Sequence, residues 1–141
     1  LVEQVKPFVD ATYRTLSEAQ HTGLGGASLG GLISLYFGLK HPEVFGKLAV
    51  MSPSVWWDNK VILRDVRNVN EKPPLRIWLD VGTGEPGSTV PNTRELRDAL
   101  KRKGWMVGDD LGYLELKGAK HDEASFARRA EDMLTFLFPA R

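Results

Sequence analysis

The chain has 141 residues, of which 42% are hydrophobic and 26% charged, with 19 basic and 18 acidic side chains giving a formal net charge of +1. That size suits one compact domain with a buried core, and the near-neutral balance gives no electrostatic reason to expect nucleic acid or an anionic membrane as a partner. With no cysteine, disulfides, thiolate metal sites and a cysteine nucleophile are excluded, and no apolar run approaches the ~20 residues a membrane helix needs.

Leu1 to Tyr13 reads as a broken helix, with Pro7 tolerated near a first turn or at a kink. It has no signal-peptide layout. The chain begins without Met, in what reads as mid-helix, so the natural N-terminus is expected elsewhere. His21 to Gly25 is a short extended segment leading into Gly25-Gly26-Ala27-Ser28-Leu29-Gly30-Gly31. The stretch Leu32 to Lys40 is hydrophobic nearly all round, as expected of a helix packed against a sheet, and His41-Pro42 ends it.

Leu48 to Met51 has the continuous apolar character of a buried parallel strand. Ser52-Pro53-Ser54 breaks it, Val55-Trp56-Trp57 follows in a loop, and Val61 to Val69 reads as a short helix. Pro73-Pro74 announces the next strand, Leu75 to Val81. Asn92 is placed to cap a helix with Glu95 at its third position, running to about Lys103 before Gly104. Leu111 to Leu116 alternates as a strand. Glu123 to Phe138 carries Phe126, Met133, Leu134 and Leu137 at helical spacing. The basic runs Lys101-Arg102-Lys103 and Arg128-Arg129 fall on helices and read as solvated faces. Strands alternating with helices in this way predict an α/β fold, a parallel sheet with helical crossovers.

Gly26-Ala27-Ser28-Leu29-Gly30 matches G-x-S-x-G between a strand and a helix. A serine on so sharp a turn needs small neighbours to let strand and helix approach. The turn lifts its hydroxyl to a helix N-terminus, where the N–H of Leu29 can stabilise an oxyanion. A glycine-rich turn with an incidental serine is the plainer reading, and the strand–turn–helix context favours the nucleophile. The phosphate-binding patterns are absent.

A serine nucleophile needs a base, and the chain has three histidines. His21 precedes the nucleophile on its own strand. His41 sits at a helix end, where capping is the more natural use. His121 follows a strand and Gly118-Ala119-Lys120, in a loop at the carboxyl edge of a parallel sheet, where such sheets place ligands. It also satisfies the order serine, acid, histidine. Two acids are candidates to orient it. Asp80 lies within a strand and points to either face; Glu85, in the loop three residues after Gly82, is favoured. Asp122 would have to fold back on its own neighbour. The expected geometry is convergence of Ser28, His121 and Glu85 at that sheet edge, with Ser28 Oγ in hydrogen-bond reach of the imidazole.

Gly26 to Gly31, Lys40-His41-Pro42-Glu43-Val44-Phe45 and Ser52-Pro53-Ser54-Val55-Trp56-Trp57 together resemble the esterase D and enterochelin esterase-like branch of the α/β-hydrolases. Feruloyl and acetyl-xylan esterases and mycolyltransferases belong to the same branch. Asp80 to Glu85 is similar to its acid loop, with the triad acid where Glu85 stands, and Gly118 to Asp122 is similar to its histidine loop. The resemblance covers essentially the whole chain. It implies the C-terminal half of the fold, residues 1–141 forming a single catalytic domain without the N-terminal strands. The family's missing half supplies the first four strands and a loop carrying the second oxyanion N–H.

The expected activity is carboxylic-ester hydrolysis through a serine acyl-enzyme, with Ser28, His121 and Glu85 as triad, Leu29 N–H as oxyanion donor, and no metal or cofactor. Trp56 and Trp57 either wall the pocket of a small-molecule ester or form a packed aromatic cluster. Two other expectations stand beside this one: an acyltransferase of the same fold, and a catalytically incomplete fragment or interaction domain. The nucleophile strand should lie at one edge of the sheet, where an N-terminal segment or another chain pairs with it.

Overall fold

The alternation of elements is realised as a four-stranded, all-parallel sheet in the computed structural model, which describes residues 1–139. Helix α1 (Val5–Thr12) carries Pro7 in its first turn, where no intrahelical donor is lost. The segment expected to be extended from His21 divides in two. Ala19–His21 form a single 3-10 turn, and strand β1 is Gly23–Ala27. The cause is the close approach of Gly46, whose N–H donates to Ala19 O over 2.8 Å and turns the chain before pairing begins.

Helix α2 (Leu29–Lys40) follows at once, then β2 (Lys47–Met51). The next helical segment, α3 (Trp57–Arg67), starts earlier than expected, because Asp58, Asn59 and Lys60 form a turn of positive φ before the right-handed helix begins. Strand β3 is Arg76–Gly82 and helix α4 is Thr89–Arg102. Asn92 therefore lies inside α4 instead of capping it. Pro91 falls in the first turn and permits the earlier start, and Asn92 Nδ2 donates to Ser88 Oγ over 3.1 Å. Strand β4 (Leu111–Leu116) and helix α5 (Glu123–Leu137) complete the chain.

The strand order is β1-β2-β3-β4, so β1 is an edge strand, as expected. Side chains alternate between the two faces. Leu48, Val50, Ile77 and Leu79 join the larger core, packed with Leu32 and Leu35 of α2, Ile62 and Val66 of α3, and Leu96 and Leu100 of α4. The intervening positions, Ala49 and Trp78, face α5 with Met133, Phe136 and Leu137. Leu134, expected on that apolar stripe, is exposed, and Phe136 takes its place against Trp78 with ring centroids 5.9 Å apart.

Candidate active site

All strands end at one edge, and the hydrogen-bond ladder runs one rung past them. Ser28 N–H donates to Met51 O (3.0 Å), Ser52 N–H to Asp80 O (2.9 Å) and Thr83 N–H to Leu116 O (3.0 Å). The loops that carry the candidate residues therefore leave the sheet from fixed positions.

Ser28 sits between β1 and α2 with φ 60° and ψ −121°, a backbone conformation costing a non-glycine residue about 1–3 kcal/mol. The glycines explain how the turn closes. A Cβ on Gly26 would stand 2.9 Å from Gly30 Cα, and one on Gly31 would stand 2.9 Å from Met51 O. Strand and helix touch backbone to backbone there. Leu29 is the first residue of α2, so its N–H belongs to the group that a helix leaves without an intrahelical acceptor.

Ser28 and His121 line one cleft of about 230 Å³, with Ser54, Trp56, Pro86 and Thr89. Glu85 lies buried behind His121. His121 Nδ1 is 2.7 Å from Glu85 Oε2, and Phe126 packs edge-on against the imidazole with centroids 5.2 Å apart. Glu85 Oε1 accepts from Gly82 N–H (2.8 Å) and from the Ser52 hydroxyl. The acid and histidine loops are tied together: Gly84 N–H donates to Ala119 O (2.9 Å), and Gly118 N–H to Thr83 Oγ1 (2.8 Å). A Cβ on Gly82 would collide with Ala119 O at 2.2 Å.

The expected bond from Ser28 Oγ to the imidazole is not made in this structure. Ser28 Oγ pairs instead with Ser54 Oγ, 3.1 Å away. Asp80, the other candidate acid, does not reach His121 either. Strand alternation points it, like Trp78, toward α5, where Arg129 Nη1 lies 2.6 Å from Oδ1 and Trp78 Nε1 donates to Oδ2 over 2.7 Å. Burial pushes its carboxyl above the ordinary aspartate value, against the Trp78 hydrogen bond and the Arg129 charge. Asp122 caps α5, accepting from Ser125 N–H at 2.8 Å, and that bond holds its carboxyl below the ordinary value.

His21 does not lie on the nucleophile strand. It ends the 3-10 turn and lines a cavity with Phe138 and Lys6 at the amino end of β1, opposite the Ser28 edge. His41 closes α2 as its C-cap, its N–H donating to Phe37 O over 2.8 Å. The two tryptophans separate: Trp56 borders the Ser28 cleft, whereas Trp57 borders an apolar groove with Leu32, Ile33, Tyr36 and Ile62. Trp57 therefore does not wall that cleft.

Three residues near the site were not anticipated: Ser52, Ser54 and Arg129. Arg129 contradicts the solvated reading of its basic run, for Arg128 is exposed and Arg129 fully buried. The signal was its helical phase. Arg129 stands three residues after Phe126 and four before Met133, on the apolar stripe of α5.

A parallel sheet with a strained serine turn and a histidine–carboxylate pair at the same edge is the layout of an α/β-hydrolase. The whole fold agrees: an enterochelin esterase from Shigella flexneri superposes with a TM-score of 0.85 at 25% identity, covering 98% of this chain and 36% of that one. The family model described as "Putative esterase" matches residues 1–134, and the chain belongs to that family. Uncharacterized protein YbbA of Bacillus subtilis is 30% identical over 98% of this chain and 57% of its own length. Iron(III) enterobactin esterase of Escherichia coli is 36% identical over 61% of this chain and 22% of its own length. The chain thus spans about half of the first relative and a smaller part of the second.

Proposed function

We propose that this protein is a carboxylic-ester hydrolase acting on a small-molecule ester through a serine acyl-enzyme, and that residues 1–141 form its catalytic domain. The observation that carries this reading is the 2.7 Å contact between His121 Nδ1 and Glu85 Oε2, behind the cleft that Ser28 also lines. With Nδ1 turned to the carboxylate, Nε2 is the nitrogen left to serve Ser28. Ser28 Oγ attacks the ester carbonyl carbon while its proton passes to Nε2. The tetrahedral oxyanion faces the Leu29 N–H at the positive end of α2. Its collapse breaks the bond to the alkoxy oxygen, which takes the proton from Nε2 and leaves as the alcohol. Water then attacks the acyl carbon, with His121 again as base, and releases the acid. Glu85 holds the imidazole tautomer and stabilises the imidazolium.

Membership of the esterase family supports this chemistry, the relatives named as enterobactin and enterochelin esterases favour an ester of that kind, and Trp56 lines the cleft in which it would bind. The edge position of β1 leaves a place where a further strand, from an N-terminal segment or another chain, would pair. The test is covalent. A fluorophosphonate should label Ser28, and Ser28→Ala and His121→Ala should each abolish both labelling and turnover of p-nitrophenyl, feruloyl or catecholate trilactone esters. Labelling that survives Ser28→Ala would sink the assignment.

A further inference from the structure

Two buried ionisable groups lie behind the proposed triad and take no part in the steps above. Asp80 and Arg129 both have side chains with no exposed surface. Besides Asp80 Oδ1, Arg129 Nη1 donates to Ser52 Oγ (3.1 Å), and Nε donates to Ser125 O (3.1 Å). Arg129 Nη2 lies 3.8 Å from Glu85 Oε1 and has no hydrogen-bond partner among the described residues. A buried ion pair is a weak source of stability, since an apolar pair of similar volume often serves as well. Its position suggests a different use.

The Ser52 hydroxyl is fixed from both sides. Arg129, a pure donor, occupies an acceptor lone pair of Oγ, so the hydroxyl proton is left for Glu85 Oε1. The Ser52 N–H is fixed in turn on Asp80 O. Charge points the same way. Asp80 and Glu85 are two carboxylates around one guanidinium, which leaves a single net negative charge when both are ionised. The imidazolium formed on His121 during the reaction balances that charge. Of the other charged groups nearby, Asp122 is spent on the α5 cap and the Lys120 residue is exposed.

Resting on the functional reading above, we infer that Arg129 and Ser52 are positioning residues of the same reaction. Arg129 neutralises Asp80 and aims the Ser52 hydroxyl at Glu85 Oε1, so that Oε2 stays directed at His121 Nδ1.

The experiment compares the protein with Ser52→Ala, Arg129→Lys and the double variant Arg129→Met/Asp80→Asn. It measures fluorophosphonate labelling of Ser28 between about pH 5 and 9, the range in which a histidine base titrates. The kcat and KM for a p-nitrophenyl ester and a thermal melt accompany it. Ser52→Ala should fold, keep its KM, and lose about 10- to 100-fold in kcat and labelling rate, the scale of one hydrogen bond to a charged group. A carboxylate short of one donor holds an imidazolium more tightly, so the acid limb of the profile should move to higher pH. Arg129→Lys should retain more activity than the double variant.

If Ser52→Ala and the double variant both fold and label at the parent rate with the parent profile, the inference is overturned. Should the double variant fail to fold, Ser52→Ala decides the matter alone. A parent protein whose Ser28 is never labelled removes the functional reading, and this inference with it. A labelled parent with an unaffected Ser52→Ala removes only the inference.

Discussion

Ser54 holds the hydroxyl of Ser28: the two Oγ atoms are 3.1 Å apart, and Ser54 N–H donates to the Ser28 carbonyl oxygen over 3.1 Å. In this arrangement the proposed nucleophile is paired with a neutral hydroxyl and not with its proposed base. A neutral hydrogen bond contributes about 0.5–1.5 kcal/mol net, so Ser54→Ala should keep the labelling rate of Ser28 or raise it a few-fold. A collapse of the rate in a folded Ser54→Ala variant would make Ser54 part of the machinery and not a resting partner.

The strain at Ser28 is open to measurement independently of activity. Glycine tolerates positive φ, and alanine does not. Both Ser28→Ala and Ser28→Gly should be inactive, but the glycine variant should be the more stable by about 1–2 kcal/mol, strain relief less glycine's extra chain entropy. Denaturant melts of the pair test this. Equal midpoints would mean that the turn stores no more strain than the roughly 0.5–1 kcal/mol that glycine costs in chain entropy.

The two candidate acids should fail in different ways. Glu85→Gln removes the charge facing His121 and should lower kcat by up to about 10⁴-fold with the fold intact. Asp80→Asn removes the carboxylate bonded to the buried Arg129 guanidinium, leaving Glu85 at 3.8 Å as its remaining counter-charge, and should cost about 1–3 kcal/mol of stability. Melting curves beside labelling rates separate the two effects. A normally stable Asp80→Asn with Glu85-like loss of rate would return Asp80 to the triad.

Acid should weaken one surface cluster in a predictable sense. Two hydrogen bonds from Arg94 and one from the Tyr113 hydroxyl pull the Glu115 carboxyl from its ordinary 4.5 down to about 2. A depressed acid stabilises the fold at pH values above its unfolded value, and that contribution is lost as pH falls through the folded one. Because Arg94 is half exposed, the contribution should be small and shrink with salt. The melting gap between the protein and Glu115→Gln should therefore be widest above about pH 5 and close near pH 2. A gap that persists at pH 2 would mean that the cluster acts by packing and not by charge.

The placement of Ser28, His121 and Glu85 at one sheet edge was legible because each sits in a sequence context with a mechanical reason: a glycine-flanked turn, a loop at a carboxyl edge, and a loop acid before the last strand. The supporting residues were not, because their roles depend on facing partners distant in the chain. Strand alternation puts Asp80 beside Trp78 on the α5 face, but only a known sheet topology says that Arg129 waits there. Ser52 looked like a strand breaker, and its hydroxyl gains meaning only once the acid loop folds over it. Helix starts slipped for a local reason. At Asp58 to Lys60 the chain makes a left-handed turn that periodicity does not register.

The ladder rungs that run past the strand ends separate two kinds of change. Ser28, Ser52 and the start of the acid loop are bonded to the sheet itself, so moving them means breaking strand pairing. Trp56, Pro86 and Thr89, which border the cleft, lie further out, where α3 and α4 begin. Side chains at those helix starts can be exchanged without touching a rung. On the proposed mechanism, ester preference is free to drift in descendants of this chain, or to be redirected by design at Trp56, Pro86 and Thr89, while Ser28, Ser52 and the acid loop keep their spacing.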